Sequence, residues 1–254
     1  NAALLQGNEM QAQIYGNQTT EEQKRKTEKR LVVLSASILL VIALMVAAVL
    51  FFIPQIRYSS AKKNIEKQNF DKAIAVFTDL GDYKDSAEMT KEAYFQKAVF
   101  LMDKGSYSEA ISVFEQVAEY KNSKGKIANC KVEIKYLEAV NDFNNRKYTD
   151  AALKFKSIEK DKIEAKEYAD KSYYFLAKDE FDKKNYLDAA KNFANADSYK
   201  DADEMEKESY YRLGWNYYNE ENYKEAYDYL TKIKDYKDVT EKYNEVCYQY
   251  ACEL

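Results

Sequence analysis

The chain has 254 residues, with 39 basic and 43 acidic side chains, no histidine and only six glycines. The lack of histidine removes the commonest general base and metal ligand, and no glycine-rich loop is present that could hold a phosphate. The mixed, slightly acidic charge (net −4) argues against nucleic-acid binding. Cys130, Cys247 and Cys252 lack the spacing of a zinc site. Taken together, these features predict no metal site, no cofactor and no catalytic residue.

The N-terminal residues are polar. Residues 1–19 are rich in Asn, Gln and Ala, and we predict that they form a disordered segment. Thr19 and Glu22 have the spacing of a capping box, which marks the first turn of a helix. The sequence therefore predicts a helix over residues 20–54, with Pro54 kinking or ending it.

Residues 31–53 form an apolar run without a charged side chain. As a helix this run is ~35 Å long, which is enough to cross a ~30 Å hydrocarbon core. A buried core helix is one alternative, but a soluble helix of this length would almost always carry a charge. A cleaved signal peptide is another, but its apolar region has only about 7–15 residues and follows a short basic start. We therefore predict a single-pass transmembrane anchor in contact with membrane lipid.

Basic residues flank the apolar run on both sides. The fifteen residues before the run hold Lys24, Arg25, Lys26, Lys29 and Arg30, and the fifteen after it hold Arg57, Lys62, Lys63 and Lys67. Lys and Arg are retained preferentially on the cytoplasmic side of a membrane. The five-to-four excess therefore predicts a cytoplasmic N-terminus at the cell membrane, with the large C-terminal part outside the cytoplasm.

The rest of the chain repeats with a period of 37–41 residues. In each repeat an aromatic residue is followed three positions later by alanine, and a large apolar residue lies four positions beyond that. These triplets are Phe70, Ala73 and Phe77; Tyr107, Ala110 and Phe114; Tyr148, Ala151 and Phe155; Tyr186, Ala189 and Phe193; and Tyr223, Ala226 and Leu230. Twelve residues earlier, an aromatic and a small residue recur at Tyr58 and Ala61, Phe95 and Ala98, Tyr136 and Ala139, Tyr174 and Ala177, and Tyr211 and Gly214.

These spacings predict α-helices, because residues three, four and seven positions apart share one helical face. Asp85, Asp201 and Asp238, each with Glu three residues later, are predicted N-caps of the following helix. Each repeat is thus predicted to be a helix of about 18–20 residues, a short turn and a helix of about 12 residues. One such hairpin cannot bury its apolar stripe alone. The sequence therefore predicts an all-α fold, with five hairpins and a terminal helix stacked as an α-solenoid over residues 55–254.

The pattern resembles the tetratricopeptide repeat (TPR) family. The twelve-residue step from Ala98 to Ala110, the aromatic three positions before Ala110 and Phe114 four positions after it match the TPR consensus. The repeats depart from the family in being longer than about 34 residues, in lacking a closing proline, and in an apolar stripe shifted by one position. The Tyr-Lys-Asp-Ser element at residues 83–86 and the single anchor are similar to membrane-anchored TPR-like proteins of low-GC Gram-positive bacteria. In those proteins a small zinc-binding ribbon often precedes the anchor, and residues 1–30 of this sequence contain no such ribbon.

Two ladders of large residues on the first helices allow two interpretations. They comprise Tyr58, Phe95, Tyr136, Tyr174 and Tyr211, and then Ile65, Met102, Phe143, Phe181 and Tyr218. The ladders form either an aromatic groove for a peptide or glycan, or the core between repeats. The densest aromatic cluster contains Tyr211, Trp215 and Tyr218, which are the predicted partner-binding residues.

A chain with these features is predicted to bind rather than to catalyse. We predict a membrane-anchored, non-catalytic scaffold for protein–protein interactions, which is not an enzyme. One alternative is a cell-envelope module that binds glycan or polymer, and another is a structural subunit of a membrane complex.

Overall fold

The computed structural model describes residues 2–197 and 199–253, with the backbone alone at residues 2–6, 8, 9, 12–14, 18 and 253. The outer ends of the predicted 1–19 and 55–254 segments, at Asn1 and Leu254, lie outside this part. Every regular element in the described ranges is helical. The α-helices are α1 (Ala2–Ala47), α2 (Ile53–Glu66), α3 (Phe70–Leu80), α4 (Ser86–Asp103), α5 (Tyr107–Glu115), α6 (Ser123–Asn144), α7 (Tyr148–Ile158), α8 (Glu164–Asp182), α9 (Tyr186–Asn195), α10 (Ala202–Asn219), α11 (Tyr223–Leu230) and α12 (Val239–Glu253).

The helices belong to two compact units, residues 1–97 and residues 98–254. Long and short helices alternate from α3 onward, as predicted. The long helices α4, α6, α8 and α10 have 18–22 residues. The short helices have 8–11 residues, which is fewer than the predicted twelve. Each of them ends within three residues of its buried Phe or Leu. In the second unit each helix packs against the next one along the chain.

The first helix begins earlier than the sequence indicated. It starts at Ala2 and passes through residues 19–22 without a break. The Thr19 hydroxyl donates to the carbonyl oxygen of Tyr15 at 3.0 Å, one turn earlier, which is how threonine bonds inside a helix rather than at its N-cap. A helix start near residue 20 is therefore not seen, and the division into a disordered segment 1–19 and a helix over 20–54 stays a prediction.

Pro54 does not end the helix. A π-helical turn at Ala48–Phe52 separates α1 from α2, and Pro54 is the second residue of α2. Proline lacks the backbone N–H, and its ring collides with the carbonyl four residues earlier in a regular α-helix. The wider π-helical turn directly before Pro54 relieves that collision, so the chain continues as a helix.

The apolar run is exposed along its length. Leu31, Phe51 and Phe52 are 60–68% exposed, and no part of the most apolar stretch is buried within the structure. In the described residues one helix, Tyr15–Glu66, is long and apolar enough to cross a membrane, and the most apolar 18-residue stretch within it has a mean hydropathy of 3.1. Signal sequences share this length and composition, so the finding identifies a candidate span and nothing narrower.

The small residues of the repeat are fully buried, as predicted. Ala61, Ala73, Ala98, Ala110, Ala139, Ala151, Ala177, Ala189 and Ala226 all have 0% exposure, as do Phe77, Phe114, Phe155, Phe193 and Leu230. In the first unit, the ring of Tyr58 meets that of Phe77 edge-on, with 5.6 Å between the centroids. Equivalent edge-on contacts join Tyr136 to Phe155 and Tyr174 to Phe193 in the second unit. A small residue on each helix lets its neighbour approach, and the aromatic pair fills the space beside it.

Four of the five turns inside hairpins place a residue other than glycine in the left-handed region. These residues are Gln68, Arg146, Lys184 and Glu221, with φ of 59–67°, and Gly105 occupies the equivalent position in the remaining turn. In each turn the next N–H bonds to the carbonyl five residues earlier, as in Ser106 to Leu101 at 3.0 Å. This is the Schellman pattern of a helix C-terminus. It reverses the chain in three residues and keeps the two helices of a hairpin close together.

Helices α10 and α11 approach each other closely at Gly214, which gives a testable prediction. A Cβ atom added there would lie 2.5 Å from Cγ and 2.6 Å from Cδ2 of the fully buried Leu230. We expect Gly214→Ala to lower the free energy of unfolding by about 1–3 kcal/mol, because overpacking exceeds the gain of alanine over glycine in a helix. Denaturant unfolding measures the change.

Gly125→Ala is the matched control for this substitution. The atoms nearest to a Cβ at Gly125 belong to the mobile amide end of Asn122, which can turn away. We expect Gly125→Ala to leave stability unchanged or to raise it slightly. Equal effects of the two substitutions would contradict the close approach of α10 and α11.

Candidate partner-binding surface on α10 and α12

The predicted binding residues share one face of α10. Tyr211, Trp215 and Tyr218 are spaced by four and three residues, so their side chains lie on successive turns. The Trp215 ring meets Tyr218 edge-on with 5.3 Å between centroids, and Tyr211 with 6.2 Å. All three side chains are half-buried. The structure thus brings the three residues together, while their role in binding a partner stays a prediction.

Helix α12 and Asp238, which directly precedes it, supply charged groups to the same surface. Tyr211 donates its hydroxyl hydrogen to Asp238 Oδ1 at 2.8 Å, and Tyr218 donates to Glu245 Oε1 at 2.9 Å. The Lys242 ammonium lies 2.8 Å from Asp238 Oδ2 and 5.4 Å from the centre of the Trp215 ring. The bonds from Lys242 and Tyr211 lower the pKa of Asp238, so its carboxylate is ionised at neutral pH.

Trp215 and Tyr218, but not Tyr211, line a shallow groove of about 230 Å³ between α10 and α12. Its lining residues are Trp215, Tyr218, Asn219, Lys242, Glu245 and Val246. Trp215 Nε1 is shielded from solvent and has no hydrogen-bond partner in the described structure. A buried N–H without a partner is uncommon in folded proteins. A groove with an aromatic wall, a cation, an anion and an amide suits a polar side chain of a partner better than it suits a reaction.

A tyrosine–aspartate hydrogen bond recurs at a spacing of 27 residues. Besides Tyr211 and Asp238, Tyr58 donates to Asp85 Oδ1 at 2.5 Å and Tyr174 donates to Asp201 Oδ1 at 2.6 Å. The sequence predicted these aspartates as N-caps. Asp201 does occupy the N-cap position of α10, but its side chain makes no capping bond. The capping role is therefore wrong for Asp201, because the tyrosine hydroxyl engages the carboxylate.

Of the two repeats without this bond, the first lacks both the tyrosine and the aspartate, and the second lacks the aspartate. One repeat has Phe95, and Asn122 stands 27 residues later. The other has Tyr136, and the residue 27 positions later is Ile163, which is 84% exposed. There the Lys162 ammonium lies 4.6 Å from the centre of the Tyr136 ring and 2.7 Å from Glu133 Oε1. The same contact accompanies the hydroxyl bond in the other repeats, where Lys84, Lys200 and Lys237 lie over the rings of Tyr58, Tyr174 and Tyr211. The repeat of Tyr136 therefore keeps the contact between cation and ring and lacks the bond to an aspartate.

The tyrosines of the Tyr-Lys-Asp loops also reach back to the preceding long helix. Tyr83 donates to Gln55 Oε1 at 3.0 Å, and Tyr236 donates to Glu208 Oε2 at 3.1 Å. Burial acts to raise the pKa of Glu208, but hydrogen bonds from Lys237, Arg212 and Tyr236 outweigh it and lower the pKa.

Most residues of the two predicted ladders form core. Tyr58 and Tyr174 are 8% and 5% exposed, while Tyr136 is half-buried. Ile65, Phe143 and Phe181 are half-buried and pack against the apolar clusters of their repeats. The interpretation of the ladders as core between repeats is confirmed for these residues, because their clusters include a buried alanine of the next long helix (Ala93, Ala165 or Ala202). An open aromatic groove along the repeats is not formed by them.

Alkaline pH should weaken the fold through the tyrosine–aspartate bonds. Burial and the bond to Asp201 raise the pKa of Tyr174 to about 12, from 10.0 for an unperturbed tyrosine. The unfolded chain therefore loses this proton first, so the contribution of Tyr174 to stability is complete below pH 10 and disappears as the pH rises to about 12. Chemical unfolding as a function of pH should show a falling midpoint in this window.

Two phenylalanine variants test the origin of that slope. Tyr174→Phe should flatten it, because the variant has no hydroxyl to titrate at this position. Tyr248→Phe should leave the slope unchanged, because Tyr248 is 66% exposed. A slope unaffected by Tyr174→Phe would show that other tyrosines cause the loss of stability.

Comparison with known families agrees with the helical repeats. The sequence profile of the tetratricopeptide repeat matches residues 91–124 and 207–238. The first match covers most of α4 and all of α5, and the second covers most of α10 and all of α11, including Tyr211, Trp215 and Tyr218. No curated protein matched the chain. Profile and structure thus agree on a tetratricopeptide repeat at residues 91–124 and another at residues 207–238.

Proposed function

We propose that this protein is a membrane-anchored, non-catalytic scaffold that docks protein partners on its tetratricopeptide repeats. Such repeats generally mediate protein–protein interactions, and their family is typically non-catalytic. The observation that carries the proposal is the groove beside Trp215, where aromatic, cationic, anionic and amide groups converge on an accessible surface. Tyr211, Trp215 and Tyr218 are the proposed contact residues.

Membrane anchoring is the second part of the proposal. Its support is the run of residues 31–53, which carries no charge and has apolar side chains that remain exposed. Burying that surface in lipid would remove the cost of leaving it in water. We retain the division into a polar segment (1–19), an anchor helix (20–54) and a repeat region (55–254), and the resemblance to membrane proteins of low-GC Gram-positive bacteria.

Site-specific photo-crosslinking tests the docking surface. Asn219 lines the groove and is exposed, while Asn216 is exposed on the same helix but does not line it. A benzoylphenylalanine at position 219 of the full-length protein should give discrete protein adducts in intact cells, and one at position 216 should not. Equal adducts from both positions would contradict the site. Adducts that contain sugar and no protein would support the glycan-binding alternative.

Cysteine labelling tests the proposed orientation. Cys252 is exposed and Cys130 is buried, so a membrane-impermeant maleimide has a natural target on α12. If the N-terminus is cytoplasmic, Cys252 should react in intact cells, and a cysteine placed at position 17 of a cysteine-free variant should react only after lysis. The reverse pattern would place the repeats in the cytoplasm.

A further inference from the structure

A dense group of basic residues directly precedes the apolar run. This basic cluster comprises Lys24, Arg25, Lys26, Lys29 and Arg30, and Glu28 is the only acidic residue among them, so residues 24–30 carry a net charge of 5 − 1 = +4. All five cations are exposed. Arg25 lies 4.0 Å from Glu21, at the limit of an ion pair. After Arg30 the chain carries no charge until Arg57.

The helix brings part of the cluster onto the same face as apolar side chains. Lys26, Lys29 and Arg30 are three and four residues apart, and Val33 continues the same stripe one turn further. Lys29, Arg30, Val33 and Leu34 together line a shallow groove on α1. The surface of that groove is apolar, so Lys29 and Arg30 line it with their hydrocarbon stems beside Val33 and Leu34, while both charged groups stay exposed.

At the C-terminal end of the apolar run the basic residues are fewer, and some of them are already engaged by other side chains. Arg57 forms an ion pair with Asp79 of α3, which neutralises the cation nearest to the run on that side. The Lys62 ammonium lies 5.8 Å from the centre of the Tyr58 ring, nine residues beyond Ile53. The cations on this side are therefore fewer, more distant and partly engaged by the protein itself.

We propose that the basic cluster binds the headgroups of anionic phospholipids, which gathers such lipids around the N-terminal end of the membrane segment. Lys29 and Arg30 contact the phosphate oxygens, and Val33 and Leu34 contact the first methylenes of the acyl chains. Ammonium and guanidinium groups form charge-assisted hydrogen bonds with phosphate, and arginine does so with two parallel bonds. This inference rests on the proposed membrane anchoring and adds the class of lipid to it.

Two adjacent basic pairs give a matched test. The full-length protein and its K29Q/R30Q and K62Q/K63Q variants are placed in nanodiscs of phosphatidylcholine that contain a minor fraction of phosphatidylglycerol. Native mass spectrometry then measures how much of each lipid stays bound. We expect the wild type and K62Q/K63Q to retain phosphatidylglycerol in preference to phosphatidylcholine. In K29Q/R30Q the ratio of bound phosphatidylglycerol to bound phosphatidylcholine should fall roughly fivefold for each charge removed. Raised salt should produce the same loss in the wild type.

The outcomes of this experiment distinguish a failure of the anionic-lipid site from a failure of the membrane anchor. An unchanged preference in K29Q/R30Q, or an equal loss in K62Q/K63Q, would overturn the anionic-lipid site. In nanodiscs of phosphatidylcholine alone, all three proteins should still be incorporated. Failure of the wild type to enter these neutral nanodiscs would instead overturn the membrane anchor.

Discussion

Phe155→Ala is expected to lower the free energy of unfolding by about 3–5 kcal/mol, because it removes a fully buried ring and leaves a cavity. Phe155 has 0% exposure, meets Tyr136 edge-on at 5.6 Å between centroids and stacks on Tyr168 at 5.2 Å. Both neighbours are fixed within their own helices, α6 and α8, so they cannot close the space. Denaturant unfolding in detergent measures the loss.

Leu153→Ala is the control for this prediction. Leu153 lies on the same helix but is 60% exposed, and we expect a change of less than about 0.5 kcal/mol. Since repeat proteins are stabilised mainly by nearest-neighbour contacts, amide exchange in Phe155→Ala should accelerate most in α6, α7 and α8. Uniform acceleration up to α12, or none, would contradict the assigned packing.

Ala43→Arg is expected to weaken membrane insertion by about 2.5–3.5 kcal/mol, because it places a charge in the middle of the hydrocarbon core. Ala43 lies near the centre of the run of residues 31–53 and is exposed, so the protein offers the arginine no acidic partner there. The carbonate-resistant fraction of the protein in isolated membranes measures the change. Ala43→Leu is the control and should insert as the wild type does. Equal extraction of both variants would show that this run does not cross the bilayer.

The repeat register could be predicted because it is carried by local spacing. The position of Ala110 holds alanine in every repeat, and the position of Phe114 holds Phe or, in the last repeat, Leu230. The structure buries all of these residues completely. Side-chain size at helical spacing decides which face packs, whatever the later course of the chain.

Bonds between distant helices were harder to predict. Asp201 followed by Glu204 fits a capping box, yet Tyr174, 27 residues earlier, takes up the carboxylate. The 27-residue spacing of Tyr and Asp recurs in three repeats and is broken at Phe95 and Asn122 and at Tyr136 and Ile163, so it was a usable signal. Lys242 and Glu245 could not be assigned to the groove beside Trp215, because their place depends on how α12 packs against α10.

At the start of α1, a local sequence pattern predicted a helix boundary that the structure does not show. Thr19 and Glu22 have the spacing of a capping box, but the same residues are compatible with the interior of a helix when threonine bonds back to the preceding turn. Local sequence alone does not separate these two arrangements. The π-helical turn before Pro54 had no distinct pattern beyond the proline itself.

The unbroken helical course from α1 through the π-helical turn into α2 has a mechanical consequence. Tyr58, which packs on Phe77, lies five residues beyond Ile53, or only ~7 Å further along the helix axis. No flexible linker separates the candidate membrane segment from the first hairpin, so a rotation of that segment about its long axis would turn the hairpin with it. The π-helical turn is the one irregular step in that rod over the described residues 2–66, and torque applied in the bilayer would be absorbed or transmitted there.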